Sequence, residues 1–328
     1  MSTTAIPIDP PGGRLQQNRN LVDTLLLITG MTLLTGGAAF LFLSWSGLLV
    51  AVLCVGLIAF AAPHMPAATV LRLYRAMPVD TRNGRDLYLV LHELAARGGM
   101  QSAPSLYVVP SLTLSAFSTG SPDNAAIAIT EGLLRKLSLR QIAAVLGHEL
   151  AHIRNEDLRL MALADALSRT LQVMSWLGLA LLLFYVPQYA AGNVRVPWLG
   201  IGLLYVAPAL GTLLQLALAR TREYEADLAA MQLTGDPTGL ASALRLIERY
   251  RGQIWEDLAF PNTRRSPAPS SLRTHPSTEA RLARLRAAAS TVAGQTPIAF
   301  SEDGPRVSLV GMGPVAMRAR YRMPGVWF

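Results

Sequence analysis

The residues with the clearest chemical potential are His148-Glu149-Leu150-Ala151-His152, an HExxH pattern. On a helix, positions i and i+4 lie on one face about 5–6 Å apart, so the two imidazoles can hold one Zn²⁺. Glu149, on the adjoining edge, can take a proton from a water on the metal, whose pKa zinc lowers to about 7. A catalytic zinc needs a third protein ligand and one open position. Downstream, Arg222-Glu223-Tyr224-Glu225-Ala226-Asp227 offers two glutamates. On a helix these point about 200° apart, so only one can face the metal. Asp227 shares the face of Glu223 and can accept a hydrogen bond from the second ring nitrogen of His148. That favours Glu223 as the ligand and leaves Glu225 on a solvated or structural face. A near-match, His92-Glu93-Leu94-Ala95-Ala96, lacks the second histidine and reads as a helix surface.

These residues need helices to hold them. Ser138-Leu139-Arg140-Gln141 fits a capping box, so a helix should begin at about Leu139, run through His148 and continue past Asp157 toward a later apolar run. Asp86 to Ala96 is helical in pattern and closed by Gly98-Gly99. Ser105 to Val109 and Ala125 to Thr130 are short β-rich runs, with turn residues between them. Ala126, Ile127, Ala128 and Ile129, just before the active helix, suit an extended peptide added as a further strand. An ordinary inner strand is the competing reading. Arg220 to Leu233 reads as helix and stops at Gly235-Asp236-Pro237. Leu240 to Tyr250 and Ser277 to Ala289 read as further helices around a loop rich in proline, serine and arginine. Arg222 reads as an interfacial anchor and Asp157 as a solvated helix-end charge, neither with a catalytic role.

Composition places this chemistry at a membrane. Of 328 residues, 51% are apolar and 15% charged, against roughly 25% charged in an ordinary soluble domain. The shortfall is local, because Thr24 to Leu71, Thr170 to Val194 and Val196 to Ala219 contain no Asp, Glu, Lys or Arg. About 20 apolar residues cross a bilayer core as a helix. Thr24 to Leu43 and Leu48 to about Ala68 thus form a first hairpin broken at Ser44-Trp45-Ser46-Gly47, with Trp45 at the interface. Thr170 to Val186, ending at Pro187, and Pro197 to Ala219, containing Pro208, form a second. Arg14, Arg19, Arg72, Arg75, Arg169, Arg220 and Arg222 flank the hairpins on one side, whereas the loops between paired helices offer only Arg195. By the positive-inside rule both termini and the segment 72–169 face the cytoplasm. The net charge of +8 is therefore read as orientation in a lipid bilayer, with no nucleic acid as partner. The single cysteine, Cys54, excludes an intrachain disulfide and a cysteine-based metal cluster.

Taken together, His148, Glu149, His152 and the 222–227 segment resemble the gluzincins. The fuller pattern resembles the M48 membrane zinc metalloproteases, within them the bacterial heat-shock HtpX group. The matching segments are SAFSTG at 115–120, AIAITEGLL at 126–134, GHELAHIRNED at 147–157, TREYEAD at 221–227 and THPSTEARLARL at 274–285. Ser115 departs from the asparagine usual there. The resemblance implies one catalytic zinc held by His148, His152 and Glu223. It also implies a downstream histidine at His275 that could stabilise the oxyanion, and cleavage of membrane or misfolded proteins at the cytoplasmic face of a bacterial inner membrane.

The expected fold is a mainly α membrane protein: four transmembrane helices in two hairpins with a cytoplasmic α+β gluzincin-type domain. Its parts are an N-terminal tail (1–23), the first hairpin (24–71), the first catalytic segment (72–169), the second hairpin (170–219), the second catalytic segment (220–289) and a C-terminal tail (290–328). Two other functions compete. A non-enzymatic scaffold with a structural zinc would not need Glu149. An intramembrane site-2-type protease would bury Lys136, Arg140, Arg154, Glu156, Asp157 and Arg159 in lipid at high cost.

Overall fold

The structure is a computed structural model describing residues 13–61, 66–79, 84–121, 124–192, 198–259, 278–289 and 296–298. The described residues are mainly helical with one small mixed sheet. Among the described residues, four helical segments are long and apolar enough to cross a membrane: Val22–Leu41, Ser44–Ala61, and stretches of Asp157–Ala190 and Trp198–Thr234. Helix α1 (Gly13–Ala61) begins well ahead of the apolar run and is broken at Ser44, whose backbone leaves the helical region (φ 54, ψ −139). The break folds the two arms together, since Leu27, Met31 and Val55 share one buried cluster with Leu163, Leu167, Leu171 and Ala207. Trp45 stands 71% exposed at the bend.

The expected single helix from Leu139 past Asp157 is two helices. α5 (Leu139–Arg154) starts on the Ser138–Gln141 capping box, both of whose hydrogen bonds are present. It ends where Glu156 adopts a left-handed conformation (φ 58), and α6 (Asp157–Ala190) starts at once in a new direction. Pro187 does not end α6: it forfeits one hydrogen bond near the helix end, and its carbonyl still accepts from Ala191 N–H. α7 (Trp198–Thr234) tolerates Pro208, whose carbonyl accepts from the Thr212 hydroxyl at 2.7 Å. Ser168 donates to Gln215 across α6 and α7 at 2.6 Å.

The water-facing part is built on strands β1 (Met77–Pro78), β2 (Ser105–Val109), β3 (Ala116–Thr119) and β4 (Ala126–Thr130), in the order β1-β2-β4-β3. Side chains alternate across it. Leu106, Val108, Ile127 and Ile129 face α3 (Arg85–Arg97) and α5, while Val109, Ala126 and Ala128 join Leu71 of α2 (Ala67–Leu73) on the other side. Gly120 closes β3 at φ 100, where a Cβ would lie 2.3 Å from the Asn124 carbonyl. β4 pairs with β2 in parallel on one side and with β3 antiparallel on the other. This corrects the assignment of Ala126, Ile127, Ala128 and Ile129 as a substrate-binding strand. Both edges of β4 are occupied and all four residues are buried; among the described residues the outer strands are β1 and β3, of which β3 lies against α5.

α4 (Glu131–Lys136) is capped by Thr130 and leads to α5. α7 stops at Gly235, in the left-handed conformation (φ 66), with its N–H on the Met231 carbonyl. Asp236 then caps α8 (Pro237–Ala259) by accepting from Gly239 N–H at 3.0 Å, with Pro237 at the first helical position. Asp236 also binds Arg140 of α5 and Thr238. Burial would raise its pKa, but these hydrogen bonds and the Arg140 charge win and pull it down to about 2. A depressed carboxylate stabilises the fold above its unfolded value near 4 and loses that contribution as pH falls through 2. Asp236→Asn, which keeps the cap, is therefore expected to cost about 1 kcal/mol near neutral pH, allowing for screening of the half-exposed Arg140. Thermal melting should show the difference at pH 7 and little of it at pH 2.

Candidate active site and metal centre

Two helices bring the metal-binding residues together. α5 crosses α7 on small side chains, with Gly147 against Ala230, and Ala151 clustered with Ala226 and Ala229. The close approach faces His148 and His152 toward Glu223. His148 Nε2 lies 3.2 Å from His152 Nε2, and the Glu223 carboxylate oxygens lie 3.6 and 3.8 Å from those nitrogens. One ligand atom from each residue lies within 4.8 Å of the others. Four ligands at about 2.0–2.1 Å from a tetrahedral zinc are separated by about 3.3 Å, so this nitrogen, nitrogen and oxygen set fits the ion.

The ring nitrogens turned away from that point each meet a carboxylate. His148 Nδ1 is 3.1 Å from Asp227 Oδ1, and His152 Nδ1 is 3.2 Å from Asp157 Oδ2. Such partners fix the tautomer and ring orientation of metal-binding histidines. Burial alone would lower the His152 pKa. The hydrogen bond to Asp157 and the charges of Glu223, Asp157 and Glu149 outweigh it and push it up to about 9. The point accepts positive charge readily, which is what a divalent ion supplies.

Two arginines balance the acids. Arg281 of α9 (Thr278–Ala288) binds Asp227 through Nε at 2.7 Å and Nη2 at 2.5 Å, and lies 3.2 Å from Glu223. Its pKa is held above the ordinary value, the charges of Asp227 and Glu223 overcoming burial. Arg222 and Asp157 are corrections to the sequence reading. Arg222 is 1% exposed, Asp157 is fully buried, and they pair at 2.6 Å. The bend at Glu156 turns Asp157 inward, and the α7 face that carries Ala226 also buries Arg222. Ser118 of β3 donates to Glu149 Oε2 at 2.8 Å. Glu225 stands outside the metal group and His92 is exposed on α3. His275 and Arg195 lie outside the described residues.

Ser118 and Arg281 were missed although both lie inside segments that carried the resemblance. Arg281 had a signal: it sits beside Leu282 and four residues before Leu285, on the buried stripe of α9.

A family model described as peptidase family M48 matches residues 81–289. The chain belongs to the M48 peptidase family. A protein named Protease HtpX from Legionella pneumophila is 34% identical over 288 residues, covering 82% of this chain and 99% of its own length. A Protease HtpX homolog from Paraburkholderia phytofirmans is 34% identical over 238 residues, covering 68% of this chain and 80% of its own. Among solved structures, the crystal structure of S. mikatae Ste24p matches with a TM-score of 0.47 at 20% identity, over 82% of this chain and 66% of that one. This M48 chain is an integral membrane zinc metalloprotease that acts on protein substrates, with His148, His152 and Glu223 as its zinc-binding group.

Proposed function

We propose that this M48 chain is an endopeptidase that cuts membrane or misfolded proteins at the cytoplasmic face of a bacterial inner membrane. Glu149 acts as general base. The observation that carries the reading is the 2.8 Å hydrogen bond from Ser118 on the sheet-edge strand to Glu149, beside the metal ligands. It ties the strand where an extended peptide would add to the residue that would move the proton. When bound, zinc supplies Lewis acidity and a nucleophile at neutral pH. Ser118 holds one carboxylate oxygen of Glu149, leaving the other to take a proton and return it to the departing amine. Backbone pairing along β3 tolerates many side-chain sequences, which suits a protease for damaged proteins. His275 stays a candidate donor to the oxyanion. The reading is tested by incubating the purified protein, and its Glu149→Gln variant, with an unfolded protein and a membrane protein, and identifying fragments by mass spectrometry. Internal cuts absent from the variant are expected; trimming from the termini alone would overturn the endopeptidase reading.

The arginine-rich hairpin flanks support a cytoplasmic catalytic side, with the Ser44 bend on the opposite side. In a Cys54→Ser background, Ser46→Cys is expected to react with a membrane-impermeant maleimide in spheroplasts. Reaction only after lysis would reverse the orientation. Asn193, the matching position in the second hairpin, lies outside the described residues.

A further inference from the structure

We propose that Asp23, on the first membrane helix, is a positioning residue for the zinc centre, so that docking of that helix sets metal affinity. Asp23 lies at the start of the first apolar segment, Val22–Leu41, in α1. Its carboxylate binds Arg222 Nη2 on α7. Arg222 Nη1 binds Asp157 Oδ1 at the start of α6, and Asp157 Oδ2 holds His152 Nδ1 on α5. One chain of contacts thus joins four helices and ends on a zinc ligand. Asp157 is fully buried, Arg222 is 1% exposed and the Asp23 side chain 17%, so solvent screens these charges little.

The charge count gives the chain its function. Arg222 and Asp157 alone form a neutral pair, and a guanidinium beside Asp157 weakens the carboxylate as an acceptor for the His152 ring N–H. Asp23 offsets that guanidinium and restores a formal charge of −1 facing the metal. Its position matters too. With Nη2 anchored by Asp23, the planar guanidinium presents Nη1 to only one oxygen of Asp157, leaving the other directed at His152. Removing the Asp23 charge lets Arg222 draw Asp157 toward itself and away from the histidine.

The inference rests on the zinc site and on no particular substrate, so it is read as metal affinity by competition with a chromophoric chelator in detergent. Asp157→Asn is expected to loosen zinc by about 10- to 100-fold and Asp23→Asn by about 3- to 10-fold. The Asp23→Asn/Asp157→Asn double variant should bind no more weakly than Asp157→Asn alone, because the first change acts through the second residue. Unchanged zinc affinity in Asp23→Asn, with only a lower melting temperature, would reduce Asp23 to a structural contact and overturn the proposal. Full additivity in the double variant would overturn the route through Asp157. A second measurement keeps Asp23 intact. Coupling is reciprocal, so stripping zinc must loosen the docking of α1. A spin label at the exposed Leu26, in a Cys54→Ser background, should become more mobile when zinc is chelated. Unchanged mobility would refute the coupling even if Asp23→Asn failed to fold. Glu149→Gln separates this from the proposed activity, since that variant should lose cleavage and keep wild-type zinc affinity.

Discussion

Glu149→Gln is expected to lower turnover of a cleavable peptide by about 10²- to 10⁴-fold while the protein keeps one zinc per chain. The two effects separate because of where Glu149 sits. It follows His148 on α5 and so points about 100° around the helix from that ligand. It is not one of the converging metal-binding residues. The Ser118 hydroxyl donates to one oxygen of Glu149. A glutamine can accept that same bond through its carbonyl oxygen, which aims its amide nitrogen where the second carboxylate oxygen had been. The side chain keeps its place, but the group facing the metal side now carries hydrogens and cannot take a proton. Metal content by mass spectrometry and turnover by fragment analysis check both halves. Near-normal turnover would remove Glu149 from the mechanism, and loss of zinc would make it part of the metal centre.

The zinc centre was legible because its information is local. HExxH, the capping box and the 200° separation of Glu223 from Glu225 need only the helix period. The membrane segments were legible for the same reason, as charge-free runs of spanning length. What escaped depends on contacts far apart in the chain or on elements too short to carry a period. β3 has four residues and α4 six, and β3 lay in a stretch read as turns. That omission made β4 look like an available edge. The turn at Glu156 was invisible because nothing in Asn155-Glu156 forbids a continuing helix, yet it decides whether Asp157 meets water or His152. Arg222 was read as an interfacial anchor from its charge, which predicts exposure, and Arg281 was passed over, yet each meets two carboxylates from distant segments.

Those same buried arginines shape the other large effect, on the third ligand. Glu223→Ala is expected to weaken zinc binding at least about 100-fold, more than loss of an outer partner, and to take proteolysis with it. Glu225→Ala, two residues away, should stay within a few-fold of the parent in both. Folding should survive the loss of Glu223. Arg281 keeps two hydrogen bonds to Asp227, so removing Glu223 does not strand a buried cation, and α7 stays pinned to α9. His148 keeps Asp227 and His152 keeps Asp157, so both rings remain oriented with one ligand missing. A Glu223→Gln variant sharpens the comparison by preserving shape while removing the charge. The Arg281 guanidinium, 3.2 Å from the Glu223 carboxylate, would then face a neutral amide and lean further on Asp227. Zinc should bind Glu223→Gln more weakly than the parent and more tightly than Glu223→Ala. Undiminished affinity in both variants, with loss on Glu225→Ala, would show that α7 presents its other face to the metal.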